Sequence, residues 1–417
     1  MSNRKGLASA VAAALLAACG VVHAGTPADG LSLDRPQYLD DAPAKRPLGQ
    51  GLDRIGAGKT LDDAGITIGG HVEASWTVSD SSPPANNITG RVFDFENQDL
   101  LLNQIDLYIE RLVDPSKGKF DVGGRIEMIY GSDARLIHSL GLFDYHGIYN
   151  VPPGTNKGPD EQFDLNQAYV DFAIPVGNGL RLRAGKFNTL LGYETINPTT
   201  NSLYSHSYLF GFAIPFTHTG LLATYVLNKD WTFDLGVTRG WDTSTEDDND
   251  TMDVTGRASW TINDKSALYI SFVIGPDQPG DNSNYRDVID VIYTQKIADQ
   301  LTIAINADYG YQFNGSNSGS DDQWYGVAGY GTYTLSSMFA LTGRLEYFND
   351  EDGYRGLGSS VYEATVGVTI TPMPNDSIGS NLKIRPEVRY DYAKDAIFDG
   401  GTDRSQATFG VDAYFTF

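Results

Sequence analysis

From residue 66 onward the chain repeats one short pattern, with apolar and polar side chains at alternate positions. In ITIGGHVEASWTV (66–78), Ile66, Ile68, Val72, Ala74, Trp76 and Val78 fall on one parity, and His71, Glu73, Ser75 and Thr77 on the other. A period of two residues marks a β-strand with one greasy and one wettable face. The same period runs through 101–113, 120–131, 163–175, 180–187, 218–228, 231–241, 252–263, 267–275, 287–297, 301–312, 323–335, 339–348, 361–371, 382–392 and 409–417. That makes sixteen segments, most close to the roughly 9–11 residues that a tilted membrane strand requires.

The connections alternate as well. Long polar stretches such as 79–99, 132–162, 188–217, 242–251 and 313–322 follow odd-numbered segments. Tight turns at 114–119, 176–179, 228–230, 263–266 and 298–300 follow even-numbered ones, with 372–381 the longer exception. The pattern predicts an all-β chain forming a single transmembrane, antiparallel, up-and-down β-barrel of about 16 strands, with short periplasmic turns and long extracellular loops. A barrel of that size leaves an aqueous channel, so the polar parity should line water and the apolar parity should meet lipid. A one-residue slip would turn Lys383, Arg385, Glu387, Arg389 and Asp391 outward together, which pins the register.

Aromatic residues of the outward parity bunch at segment ends: Trp231, Trp260, Phe339 and Phe417 near the turns, and Trp76, Trp241, Tyr311 and Tyr347 near the loops. Two interfacial girdles explain this placement. The closing FGVDAYFTF (409–417) ends the alternation on Phe417, an anchor on a final strand that must pair with the first.

The first 24 residues differ, with Arg4 and Lys5 ahead of an apolar stretch and VHA before Gly25. They read as a cleaved signal peptide (1–24), followed by a periplasmic N-terminal extension (25–65) and the barrel domain (66–417). LAAC (16–19) admits a second reading as a lipoprotein box with Cys19 as the processed terminus. Cys19 is the single cysteine, so the predicted exported chain has no disulfide. Removing Arg4 and Lys5 from the 30 basic residues leaves 28 against 53 acidic ones. So acidic a chain is a poor partner for nucleic acid. A mean hydropathy of −0.28 excludes a bundle of membrane helices.

Inward parity collects Arg125, Arg181, Arg183, Arg257, Lys296, Arg344, Lys383, Arg385 and Arg389 together with a larger set of acids, among them Glu127, Asp171, Glu346 and Glu387. Arg125 with Glu127, Arg344 with Glu346, and Arg385 with Glu387 stand two apart on one strand, a spacing that suits pairing along the wall. Either these charges keep a wide lumen wet and partly neutralise one another, or an arginine patch on segments three, five and fifteen faces an acidic zone across a constriction. The excess of acids predicts weak cation preference.

The connection 188–217 stands apart, rich in aromatic, amide and hydroxyl residues with Glu194 its one formal charge. Glu194, Asn197, Tyr204 and His206 are its candidate constriction residues. Such a loop can narrow a pore or bind sugars, and it can equally pack against its own wall.

The stretch FDLNQAYVDFAIPVGNGLRLRAGKFNTLLGYETINPTTNSLYSHSYLFGFAIPFTHTGLLATY (163–225) resembles the bacterial outer-membrane β-barrel porins of the OmpL-like, β-barrel porin-2 type. The resemblance implies an outer-membrane channel for small hydrophilic solutes. Homotrimers are common among such porins, and the terminal Phe417 resembles their signal to the barrel-assembly machinery. LRAGKF followed by GYE also resembles phosphate-selective porins, yet 188–217 lacks the basic residues that anion capture needs.

Two other classes compete. A barrel lipid or peptide hydrolase would need a serine in reach of His206 or His218. An adhesin or scaffold barrel would need larger loop domains or a plug, and 25–65 is short and polar. TEDDNDT (245–251) lacks the glycine and closing glutamate of a calcium loop, so no metal or other cofactor is expected.

Overall fold

A computed structural model describes residues 45–81, 86–143, 159–315 and 319–417. The predicted signal peptide, Cys19 and the first part of the extension lie outside the described residues. Two short helices, α1 (Pro47–Arg54) and α2 (Gly58–Ala64), precede the barrel. Lys45 bridges Asp53 and Asp62 at 2.8 and 2.6 Å, tying the two helices together. Gly65 takes φ +68° at the C-cap of α2, where a residue without Cβ turns the chain into the first strand. Arg111 then donates to the Ala64 carbonyl at 3.1 Å, holding this segment against the turn end of the barrel.

The strands are β1 (Ile66–Ser79), β2 (Leu100–Arg111), β3 (Asp121–Gly131), β4 (Gln162–Ile174), β5 (Leu180–Asn188), β6 (Thr217–Val226), β7 (Trp231–Thr238) and β8 (Asp253–Asn263). They continue as β9 (Ser266–Gln278), β10 (Asp281–Ala298), β11 (Leu301–Gln312), β12 (Asp322–Thr334), β13 (Phe339–Asn349), β14 (Ser360–Ile370), β15 (Leu382–Ala393) and β16 (Ser405–Thr416). Each pairs antiparallel with its sequence neighbours, and β1 pairs with β16, so the sheet closes as predicted. At the seam Gly70 and Phe417 exchange both backbone hydrogen bonds, at 3.0 and 2.9 Å.

The outward parity is apolar and open. Leu345 is 69% exposed and Ile305 45%, as residues facing hydrocarbon must be. Trp231 and Trp260, partners across β7 and β8, stack at 5.2 Å near the turns. Tyr325, Tyr347 and Tyr362 form a row at the loop side, with neighbouring centroids 6.3 and 5.0 Å apart.

Two features depart from expectation. Segments read as 267–275 and 287–297 run on into a hairpin that closes at Pro279 and Gly280, so this odd-numbered connection is a tight turn between long strands. The polar run DNSN continued the ladder without an apolar face to announce it. Trp241 does not join the outer girdle either. β7 ends at Thr238, Gly240 takes φ +136°, and the reversal sends the indole inward against Trp324.

The interior is drier than the sequence predicts. The described part of loop one (residues 86–99) and loop three (residues 189–216) bring apolar side chains inside the barrel. Phe187, Leu191, Tyr208, Leu209, Ile214, Trp324, Tyr330 and Phe348 pack as one buried cluster between loop three and the wall. A second cluster joins Phe93 of loop one to Ile129, Ile137, Ile196 and Phe210. Small side chains admit this packing: a Cβ on Gly326 would meet Leu209 at 2.8 Å, and one on Gly367 would meet Leu203 at 2.7 Å.

Candidate functional site: the luminal loop and its charged walls

Loop three cannot repeat the strand ladder, so its backbone groups need other partners once buried. The inward-facing carboxylates of the β13–β16 arc supply acceptors. Glu346 accepts the Tyr208 and Leu209 N–H groups at 2.8 and 2.7 Å. Glu387 does the same for Tyr204 and Ser205, at 2.9 and 3.1 Å.

Arginines of the same arc supply donors. Arg344 reaches the Ser205 carbonyl at 2.6 Å and the Glu194 carboxylate at 2.7 Å. Arg385 holds the carbonyls of Pro198 and Asn201 at 2.9 and 2.6 Å, and Arg389 holds that of His206 at 2.6 Å. All three guanidinium groups are buried, and all have acidic partners as well: Glu363 at 3.0 Å, Asp412 at 2.6 Å and Asp391 at 2.8 Å respectively. A buried guanidinium needs that compensation. Arg344 with Glu346 and Arg385 with Glu387 therefore do not pair along the strand, because each of the four groups is engaged by the loop.

The candidate loop residues all contribute. Asn197 caps a helical turn at Pro198–Thr200 through the Thr199 N–H at 3.0 Å. The Tyr204 hydroxyl donates to Ser75 on the opposite side of the seam at 2.6 Å. His206 sits on Phe93 and Phe210, with ring centroids at 5.0 and 4.3 Å. Burial pushes the His206 imidazole below its ordinary value. Burial would push the Glu194 carboxyl up, yet Arg344 and the Ser207 N–H together hold it low. Among the described residues neither His206 nor His218 hydrogen-bonds a serine. Their partners are Asn201 and the Thr195 carbonyl for the first, and Thr189 for the second.

On the β2–β5 arc the sequence-predicted residues also face inward. Arg125 pairs with Glu110 and, as its spacing suggested, with Glu127, both at 2.8 Å. Arg183 grips Asp171 through two nitrogens at 2.9 and 3.0 Å and lies 3.6 Å over the Tyr169 ring. Arg181 donates to Thr224 at 3.0 Å. Arg257 stands 3.5 Å from Asp234 across β7 and β8.

The β8–β11 arc is different. Asp290 and Asp308 face each other directly across β10 and β11, and neither they nor Asp253 form an ion pair among the described residues. Asn306 donates to Asp290 at 2.5 Å and its carbonyl oxygen accepts the Tyr193 N–H at 3.0 Å, fixing the loop's near end to this arc.

Sequence reasoning missed Arg91. From loop one it enters the barrel to meet Asp391 at 2.9 Å, Thr408 at 2.8 Å and Asp94 at 3.1 Å. Its flanks, Ile88 and Phe93, hinted that the loop turns inward, but no period placed them.

The fold is shared with solved outer-membrane channels. The outer membrane channel DcaP of Acinetobacter baumannii superposes with a TM-score of 0.56 at 12% identity, covering 84% of this chain and 97% of that one. An anion-selective porin from Comamonas acidovorans gives 0.57 at 10%, over 84% and 99%. OmpT of Vibrio cholerae, in its trimer form, gives 0.55 at 10%, over 84% and 99%. Among curated proteins no sequence match is found. The model of the family described as "Putative beta-barrel porin-2, OmpL-like" matches residues 65–417. Sixteen closed strands, an inward-folded third loop and a family match over most of its length place this chain in the OmpL-like β-barrel porin-2 family, as a porin-like outer-membrane channel barrel.

Proposed function

We propose that the protein lets small hydrophilic solutes and ions diffuse passively across the bacterial outer membrane, with weak preference for cations. One observation carries the preference: every luminal arginine on the β13–β16 arc is matched by carboxylates, whereas Asp253, Asp290 and Asp308 on the β8–β11 arc lack a basic partner among the described residues. Paired charges cancel at short range, so the acids left without a basic partner tip the sign of the lumen's field toward negative. Loop three, with Glu194, Asn197, Tyr204 and His206, is the constriction. It is pinned to both arcs, which makes it a fixed diaphragm.

The chain reaches its site through a cleaved signal peptide at 1–24, and Phe417 serves as the assembly signal for the barrel machinery. The lipid-facing surface contacts outer-membrane lipids, and a homotrimer is the working assembly, by analogy with the trimer form of the Vibrio cholerae neighbour.

Reversal potentials in a planar bilayer under a potassium chloride gradient test the reading. A potential of the sign for potassium over chloride is expected, moving toward zero in a double Asp290→Asn, Asp308→Asn variant. Firm anion selectivity would overturn it.

A further inference from the structure

At the loop end of the barrel a second group of side chains lies outside the constriction. Arg286, at an inward position near the start of β10, and Arg355, in the connection between β13 and β14, approach the same indole: their guanidinium carbons lie 5.2 and 4.9 Å from the Trp241 ring. Arg355 also lies 5.3 Å over Trp324, and Arg286 lies 5.4 Å over Tyr354. Trp324 and Tyr354 stack at 5.8 Å, so the cations share one aromatic frame.

Both arginines are held in place, and neither forms an ion pair among the described residues. Arg286 is oriented by Gln312 at 2.9 Å, the Asp277 carbonyl at 3.0 Å and the Tyr354 hydroxyl at 2.6 Å. Arg355 donates its Nε to the Phe212 carbonyl of loop three. Its two terminal nitrogens donate to no described residue.

Nearby carboxylates answer backbone amides instead. Asp350 accepts the Arg355 and Leu357 N–H groups at 2.9 and 2.8 Å, Asp242 those of Phe216 and Thr217 at 2.8 and 2.9 Å, and Asp277 that of Trp241 at 2.8 Å. Burial and the adjacent Arg286 lower the Arg355 guanidinium to about 10. Two half-buried cations that share one indole, with no acid in ion-pair contact among the described residues, are relieved by an incoming anion.

We propose that Arg286 and Arg355 form a receptor for a small organic carboxylate at the extracellular mouth. The guanidinium fork matches a planar carboxylate in two bonds, and the half-buried Trp241 and Tyr354 flank its body, with the buried Trp324 holding both rings in place. The acidic surroundings disfavour multiply charged anions, which selects a single carboxylate over a phosphate ester. The receptor is a local exception in a cation-preferring lumen. It concentrates its ligand ahead of the constriction.

Equilibrium dialysis of radiolabelled benzoate against the detergent-solubilised full chain tests this, with benzamide as the neutral isostere. Saturable benzoate binding is expected, with benzamide weaker. Arg286→Gln or Arg355→Gln should each weaken it by about tenfold or more, the scale of one charge-assisted hydrogen bond, while Arg355→Lys should retain part of it. Heat-modifiable gel mobility reports whether each variant is folded. Should a variant not fold, protection of Arg355 from phenylglyoxal by benzoate in the unaltered protein, read by mass spectrometry, detects the same contact without a substitution. Equal binding of benzamide, unchanged binding in the variants, or absence of protection would overturn the receptor. Binding in micelles needs no current, so this outcome is separate from that of the bilayer recordings.

Discussion

Arg344 shows how much one luminal side chain holds. It joins Glu194 and the Ser205 carbonyl of loop three to Glu363 of the wall, with all partners buried. Arg344→Met leaves Glu194 without its cation and Glu363 with only the more distant Arg389 at 3.8 Å, and breaking a buried pair from one side costs about 3–5 kcal/mol. A lower melting temperature in micelles and faster cleavage within loop three by added protease are the expected readouts. Acid should loosen the same loop in order. The His206 imidazole is depressed from 6.5, so the unfolded form binds its proton first. Its contribution is complete above about pH 6.5 and declines as the pH falls toward the folded value. Glu194 is also depressed, from 4.5, so its contribution outlasts that of His206 on acidification. Protection factors at the Tyr204–Leu209 amides, corrected for the intrinsic pH dependence of exchange, should therefore fall between pH 7.5 and 5.5, and His206→Gln should flatten that change. Glu194 and His206 were visible in the sequence as loop residues, but their partners were not. Hydrogen bonds between a carboxylate and a distant backbone amide leave no spacing to read.

Strands were legible because burial against lipid imposes the same two-residue rule on every one of them. β15 was read as 382–392 and runs Leu382–Ala393, and Lys383, Arg385, Glu387, Arg389 and Asp391 share its inward face as expected. The rule fails where lipid no longer acts. Above the hydrocarbon, β9 and β10 continue on polar residues, and Arg286 became legible as luminal only through that extended ladder. Trp241 was misplaced for the complementary reason, since parity counted past Gly240 has no meaning once the strand has ended. The register itself yields a sharp contrast. Leu345→Arg places a cation in mid-bilayer on β13 and should cost about 2–4 kcal/mol. Ser259→Arg, at a position with the inward parity of Arg257, should cost far less. Denaturant titration of folded barrel in lipid vesicles compares the two.

For the whole molecule, the closed ring and the acid excess were both present in the sequence, yet the lumen that results is lopsided. One arc is committed to holding a loop; another keeps acids that no basic side chain matches among the described residues. A change on β13–β16 must be answered by a change in loop three, because Glu346, Glu387, Arg344, Arg385 and Arg389 each grip its backbone or its one carboxylate. A change at Asp253 or Asp308 breaks no such grip. Lineages descending from this barrel are thus free to drift at such positions of β8–β11 and are bound along β13–β16. What such descendants admit into the cell would diversify there, while the masonry of β13–β16 stays as their ancestor left it.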